Sequence, residues 1–483
     1  MVRYANPAVR FQPAEPIQEK WETPKIADTF GSICPQANVG DIDCLFLQIY
    51  VPEKHFKNGD GSSKLPVMVF IHGGGFIFGD GNSYGPEYFM ENEDVILVTV
   101  NYRLGIFGDT GDDTIKANIG LKDQIMALGF VKENAAAFNG DDSNIIIFGE
   151  SAGSSSVHYL LMTPAAEGYF DKAILQSGVM SFWAFDPNPP RQTALKFVKE
   201  SLHCENVKDD AKPKEQSLQI KECLEKAETA QLAMNQLTFW PRWPRANPCS
   251  RFMPTADWEG GKTNDSFFAS RPHFSQSGKK NVYYSKVPVI IGTTSDEGAT
   301  AFGASAYESE ESLQELTNEW NKIAPITFSY DIHFPVENLA EISQKIKKFY
   351  FGSEPITLEN KQALADLYSD TWFLLPSISV AGELARNGVS VYPYIFSYWG
   401  SWTARSIFTQ RTDDVYEGLA GHADDIQYLF PGSMLSSHLK PGSEQEEFSR
   451  NFVNLWTSFA KQGSVSYFPF RVVETYSTPE SFK

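Results

Sequence analysis

The sequence predicts an α/β fold with a mostly parallel central sheet. Two observations carry this expectation: short continuous apolar runs, and a helix-patterned segment set between two of them. The runs are LPVMVFIH (65–72), VILVTVNY (95–102), NIIIFG (144–149), KAILQ (172–176), VPVIIG (287–292) and VYPYIFSY (391–398). Strands covered on both faces read as unbroken apolar stretches, whereas half-exposed strands alternate. Between the second and third runs lies NIGLKDQIMALGFVKENAAAF (118–138), with apolar residues at 121, 125, 128 and 131, the spacing of one helix face. Strand, helix, strand in this order is the pattern of parallel crossover units.

The remaining elements follow along the chain. Residues 182–290 are more polar and Pro-rich, with charge concentrated around 205–226. This stretch reads as helices and loops laid over the sheet, without a core of its own. Residues 308–388 read as helix-rich with scattered aromatics. The segment EQEEFSRNFVNLWTSFAKQG (444–463) predicts a helix, with Phe448, Phe452, Leu455, Trp456 and Phe459 on one stripe. There is no internal repeat or low-complexity tract, so residues 1–483 read as a single domain.

Composition narrows the function classes. Lys plus Arg total 41 against 60 Asp plus Glu, a formal net charge of −19. A nucleic-acid binder usually carries a basic patch or stripe, so this balance argues against one. No stretch reaches the roughly 18 consecutive apolar residues that suggest a membrane helix. The opening MVRYANPAVRFQPAEPIQEKW contains no apolar signal-peptide core. Five cysteines, at 34, 44, 204, 223 and 249, show no CxxC or Cys/His spacing that suggests a metal site.

The chemistry centres on Gly149-Glu150-Ser151-Ala152-Gly153, a G-x-S-x-G segment between an apolar strand and a helical pattern. In this motif the serine sits on a sharp strand-to-helix turn, and the glycines let strand and helix pass closely. A serine hydroxyl is a weak nucleophile and needs a base, itself oriented by an acid. On such a sheet the order is Ser, then Asp or Glu, then His. Downstream of residue 290 the histidines are His333, His422 and His438. His422 stands in GLAGHADDIQYLF, a glycine-flanked loop entering an apolar segment, and is the preferred base. VPVIIGTTSDEG offers two neighbouring acids, Asp296 and Glu297, and spacing does not choose between them. HGGGFIFG (72–79) ends a strand with three consecutive glycines. The N–H groups of Gly74 and Gly75, with that of Ala152 just after the serine, suit a developing oxyanion. No lysine follows the glycine run in a phosphate-loop pattern.

Taken together these segments resemble the type-B carboxylesterase/cholinesterase family of α/β-hydrolases, in particular insect carboxylesterases. The likeness extends through ICPQ (33–36), DCLFLQIYVP (43–52), HGGGF (72–76), NYRLGIFG (101–108), NIGLKDQIMAL (118–128), FGESAGSSSVHYLL (148–161), AILQSG (173–178), TSDEG (294–298) and GHADDIQYLF (421–430). The resemblance implies an α/β-hydrolase fold with insertions over the active site. It also implies hydrolysis of hydrophobic carboxylic esters through an acyl-enzyme, without cofactor or metal. Ser151 would be nucleophile, His422 base and Glu297 the acid, with Gly74, Gly75 and Ala152 as oxyanion donors. Disulfides Cys34–Cys44 and Cys204–Cys223 would follow, leaving Cys249 unpaired.

Several features depart from the family pattern or bear on the choice within it. The family usually has residues before the segment resembling RYANPAVRF, so an N-terminal truncation is expected. The C-terminal SVSYFPFRVVETYSTPESFK and the I-D-C-L at 42–45 also differ. The loop PQANVGDID lacks the aromatic residue that cholinesterases place there for a quaternary ammonium. Glu150 stands where juvenile-hormone esterases commonly have glutamine. Phe76, Phe78, Phe182, Trp183 and Phe185 are candidates for a substrate pocket or for core packing, and Trp183, Trp240 and Trp243 for another aromatic site. Two alternatives stand beside hydrolysis: a non-catalytic adhesion or binding protein, whose family members lack the serine or histidine present here, and an esterase with an intact site that mainly sequesters reactive esters with slow turnover. Asn264-Asp265-Ser266 is the one glycosylation sequon. It would matter in a secreted parent chain, which the paired cysteines suggest; the sequence as it stands, without a signal, suggests the cytosol.

Overall fold

The computed structural model describes residues 1–17, 22–23, 27–57, 64–92, 94–108, 114–185, 190–239, 252–255, 267, 284–300, 309–332, 334–400, 402–405, 417–432 and 439–465. Trp240, Trp243, Cys249, Asn264, His333 and His438 lie outside these residues.

Among the described residues, eight strands form one sheet: β1 (Val2–Arg3), β2 (Phe46–Tyr50), β3 (Leu65–Ile71), β4 (Ile96–Val100), β5 (Gly140–Glu150), β6 (Lys172–Gln176), β7 (Val289–Thr294) and β8 (Val391–Phe396). Their spatial order is β1-β2-β4-β3-β5-β6-β7-β8. β1 and β2 pair antiparallel with their neighbours, and β3 to β8 are parallel. The six apolar runs of the sequence are these six parallel strands. β2 gave no such signal, because FLQIY is interrupted by Gln48 and grades into half-buried residues.

Alternation along the strands divides the interior into two layers. Val67, Val69 and Ile71 of β3 and Ile145 and Ile147 of β5 face one layer. Met68, Phe70, Ile146 and Phe148 face the other. A strand's side chains point to opposite faces with period two, so continuous apolar runs are what a doubly covered sheet requires.

The first layer is closed by α1 (Ile119–Asn134) and α2 (Ala152–Met162), through Leu121, Leu128, Val131, Val157, Leu160 and Leu161. The helices α3 (Pro190–Glu200), α4 (Pro213–Lys226), α5 (Thr229–Thr238), α6 (Glu310–Asn318), α7 (Trp320–Thr327), α8 (Val336–Phe351), α9 (Lys361–Tyr368) and α10 (Leu375–Arg386) come from the inserted segments. The second layer is closed by α11 (Glu444–Gln462), which buries Phe448, Phe452, Trp456 and Phe459. Its ends obey helix-capping chemistry. The Ser443 side chain accepts from Glu446 N–H at 3.2 Å, three glutamates occupy the first turn, and Gly463 ends the helix with φ 69°.

One expectation is corrected here. The polar stretch after 182 does have an apolar cluster of its own. Ala194, Phe197 and Val198 of α3, Ile220, Cys223 and Leu224 of α4, and Leu232 and Ala233 of α5 pack with Phe239 and Phe252. Phe11, Ile106 and Phe107 complete it from elsewhere in the chain. These helices are amphipathic and short, so their apolar residues are diluted by charge and give a weak compositional signal. Both expected disulfides, Cys34–Cys44 and Cys204–Cys223, are formed. The second joins the loop after α3 to α4 inside this cluster.

Candidate active site

Topology selects the location. The strand order reverses at β3, with β4 on one side and β5 on the other. At such a switch point the loops leaving the carboxyl ends diverge and open a crevice. The HGGG loop leaves β3 there, and Ser151 leaves β5.

Ser151 has φ 58° and ψ −122°, a conformation unusual for a residue with a side chain. Tight packing around it maintains the turn. A Cβ at Gly149 would lie 2.6 Å from the Ile71 carbonyl oxygen, and one at Gly153 would overlap that same oxygen. A Cβ at Gly178 would overlap the Ser151 carbonyl oxygen. Ser151 N–H donates to Gln176 O at 2.9 Å, and its carbonyl accepts from Ser155 N–H at 2.9 Å. The serine is nearly buried, at 7% exposure.

His422 Nε2 lies 2.8 Å from Ser151 Oγ, and His422 Nδ1 lies 2.5 Å from Glu297 Oε2. Glu297 is fully buried, and its other oxygen accepts from Thr294 N–H at 2.8 Å. Asp296 faces away: its carboxylate accepts from Ser295 Oγ and Gln362 Nε2. The histidine loop is held chiefly by Asp424, which accepts from Gly421 N–H, Ala404 N–H and the Thr403 hydroxyl. Thr300 Oγ1 donates to His422 O at 3.3 Å.

The HGGG loop runs beside the serine. A Cβ at Gly73 would stand 3.0 Å from Ser151 Cβ. Gly74 and Gly75 have φ 100° and 61°, and Gly74 O accepts from Ile77 and Phe78 N–H. Positive φ turns these peptide units so that the chain doubles back next to Ser151. Ala152 is the first residue of α2, so its N–H has no partner within the helix. His72 is buried, stacks on Tyr102 at 4.4 Å, and its Nδ1 is 2.8 Å from Gly73 O.

Sequence reasoning missed three neighbours of the site. Glu150 Oε1 lies 3.2 Å from His422 Nε2, although Glu150 was noted only as a motif variant. Burial pushes its carboxyl up to about 8, with the His422 charge opposing and Asp425 and Glu297 reinforcing. Burial also disfavours the His422 cation, but Glu150 and Glu297 outweigh it and the net direction is upward. The charge of each group thus favours the ionised form of the other. Asp425 is the second neighbour; it is fully buried and accepts from Gln176 Nε2 at 2.7 Å, and Gln176 Oε1 accepts from Trp456 Nε1. Burial pushes its carboxyl up to about 7. The third is Phe373, whose ring lies 4.6 Å from that of His422. A π-helical turn, Ser369–Leu374, between α9 and α10 carries it there. Of the aromatics singled out from sequence, Trp183 packs 5.5 Å from Phe373, while Phe76 and Phe185 are buried in the core. Among the described residues no cluster of His, Cys, Asp and Glu could hold a metal ion, and no helix is long and apolar enough to cross a membrane.

Comparison with known proteins agrees with this architecture. Residues 1–479 match the sequence model of the carboxylesterase family. The chain is 33% identical to Esterase E4 of Myzus persicae over 480 residues, covering 96% of this chain and 81% of that protein. It is 34% identical to the juvenile hormone esterase of Tribolium castaneum, covering 96% and 79%. The crystal structure of juvenile hormone esterase from Manduca sexta with OTFP covalently attached superposes with a TM-score of 0.77 at 26% identity, covering 97% of this chain and 86% of that one. A mostly parallel eight-stranded sheet, a serine on a strained strand-to-helix turn within reach of a histidine, and a family match over nearly every residue lead to one conclusion: the chain belongs to the carboxylesterase family and is an α/β-hydrolase that hydrolyses carboxylic esters.

Proposed function

We propose that Ser151 is the nucleophile of this hydrolysis, His422 its general base and Glu297 the acid that orients the base. The observation that carries the reading is the continuous chain from Glu297 Oε2 through His422 to Ser151 Oγ, at 2.5 and 2.8 Å. Ser151 Oγ attacks the ester carbonyl carbon as its proton passes to His422 Nε2. The carbonyl oxygen becomes an oxyanion facing the N–H groups of Gly74, Gly75 and Ala152. Collapse breaks the bond to the leaving oxygen, which takes the proton from His422. Water then repeats the sequence on the acyl-enzyme and releases the acid. Glu297 keeps the Nδ1–H tautomer and stabilises the transient imidazolium.

The substrates in this reading are esters with hydrophobic substituents. Phe373 against the His422 ring, with Trp183 behind it, supports an apolar wall beside the reacting carbonyl. The two disulfides support maturation in an oxidising compartment.

The test is hydrolysis of p-nitrophenyl esters from acetate to hexanoate by the protein and by Ser151→Ala, with fluorophosphonate labelling located by mass spectrometry. Label on Ser151 and a loss of about 10⁴-fold or more in kcat in the variant are expected. A rise in kcat/KM of up to about fourfold per methylene is expected for an apolar acyl pocket. Label elsewhere, or an active Ser151→Ala, would overturn the assignment; a flat chain-length series would overturn the apolar wall.

A further inference from the structure

The loop that carries Gly74 and Gly75 does not support itself. Phe76, the next residue, has φ 63°, which costs free energy for a side-chain-bearing residue. Its carbonyl accepts from Gly105 N–H at 2.6 Å. Gly105 opens a single helical turn, Gly105–Gly108, whose leading N–H groups have no partner within the turn. The first of them goes to Phe76. The second, Ile106 N–H, donates at 2.9 Å to the side-chain oxygen of Gln236.

Gln236 lies far away in sequence, on α5 of the inserted helical segment, and is 3% exposed. It enters a notch that only glycine leaves open: a Cβ at Gly105, where φ is 51°, would overlap Gln236 Oε1. The contact is thus built from both sides, by the lack of a side chain at 105 and by an amide of the right length at 236. The helices of the inserted segment are tied together by their own apolar cluster and by Cys204–Cys223. α5 consequently presents Gln236 from a firm base.

We propose that Gln236 is a positioning residue for the oxyanion donors, acting through Ile106, Gly105 and Phe76 on the Gly74–Gly75 peptides. The inference rests on the reading of those glycines as oxyanion donors. It makes the inserted helices part of the catalytic scaffold as well as a cover over the sheet. Misalignment of donors weakens the transition state more than the bound ester, because the donors are aimed at where the charge develops.

The experiment compares the full-length protein with Gln236→Leu, Gln236→Asn and Gln236→Glu. Leu removes the acceptor, Asn withdraws it by one methylene and Glu retains it. Each is assayed for kcat and KM on p-nitrophenyl butyrate. Each is also assayed for inhibition by an alkyl trifluoromethyl ketone, which adds the serine and forms an oxyanion, and by the matching methyl ketone. Leu and Asn are expected to lower kcat about tenfold to hundredfold with KM changed less than about threefold. They should weaken the trifluoromethyl ketone by a similar factor and leave the methyl ketone nearly unchanged, and Glu should restore most of the loss. Should Leu fail to fold, Asn carries the test alone. Folded variants with kcat and trifluoromethyl ketone inhibition within twofold of the parent would overturn the proposal, as would a loss confined to KM. A parent protein that binds the trifluoromethyl ketone no more tightly than the methyl ketone would instead overturn the oxyanion reading, and this inference with it.

Discussion

The serine turn and the histidine loop meet at one hydrogen bond but are held by different means. The serine turn is a local structure. Its strained φ is enclosed by β5, α2 and the backbones of β3 and β6, and small residues allow the close approach. The histidine loop also contains a residue at positive φ, Ala423 at 69°, yet it is held by side chains reaching across the fold. Asp424 ties it to residues 403–404, Asp425 to Gln176, and Glu297 to β7. A turn enclosed by backbone tolerates no added atom. A loop held by side chains tolerates substitution structurally but loses aim.

The sharpest way to break this comparison is Gly153→Ala. Its Cβ would overlap the Ile71 carbonyl oxygen, and neither backbone can yield without moving β3 or α2. The expected loss is about 3 kcal/mol, at the upper end of overpacking costs, with activity lost alongside. Urea unfolding gives the number; an unchanged midpoint would mean that the elbow is not enclosed as described.

Asp424→Ala should behave in the opposite way. It leaves the N–H groups of Gly421 and Ala404 without their acceptor, which costs about 1–3 kcal/mol. The protein should still fold, while kcat falls about tenfold or more because the imidazole is no longer aimed. Thermal unfolding and steady-state kinetics on the same preparation separate the two. A variant whose activity loss merely follows its loss of folded protein would remove the distinction.

Glu150→Gln sharpens the comparison at the point where the two regions touch. A carboxylate near Nε2 stabilises the imidazolium and so raises the His422 pKa. Removing it should let His422 stay neutral, and therefore basic, at lower pH. The acid limb of kcat/KM should move to lower pH. An unmoved limb would show that Glu150 carries no charge where it matters.

The last test reads the histidine side of the comparison as a pH dependence of stability, in Asp425→Asn. Burial raises this carboxyl from 3.8 to about 7, so the folded state resists its ionisation. A raised carboxyl contributes most to stability at low pH, and that contribution falls as pH climbs from the unfolded to the folded pKa. The asparagine variant should therefore gain on the parent in that window and run parallel above it. Urea midpoints from pH 4 to pH 8 measure the difference; a variant that loses ground to the parent as pH rises would contradict the argument.

The legibility of the molecule follows the range of its interactions. The six parallel strands, α1, α11 and the serine motif were readable because each depends on near neighbours in sequence: apolar runs, helical spacing, glycines flanking a serine. β2 was not readable, because an antiparallel strand near the sheet edge need not be apolar throughout. The apolar cluster of α3, α4 and α5 was missed because it is assembled from short amphipathic helices and completed by Phe11, Ile106 and Phe107 from distant parts of the chain.

By itself, then, the sequence determined a doubly covered parallel sheet, a serine at the end of a strand, and glycine runs able to approach it. These are consequences of backbone sterics and hydrophobic periodicity, which act over a few residues. Tertiary structure alone decided that Glu297 turns inward to His422 while Asp296 turns to Gln362. It also brought Phe373 to the imidazole, Glu150 to its far nitrogen, and Gln236 to the N–H of Ile106. Spacing cannot supply such facts, because neighbouring acids share nearly the same sequence context. What separates them is which one the folded chain surrounds.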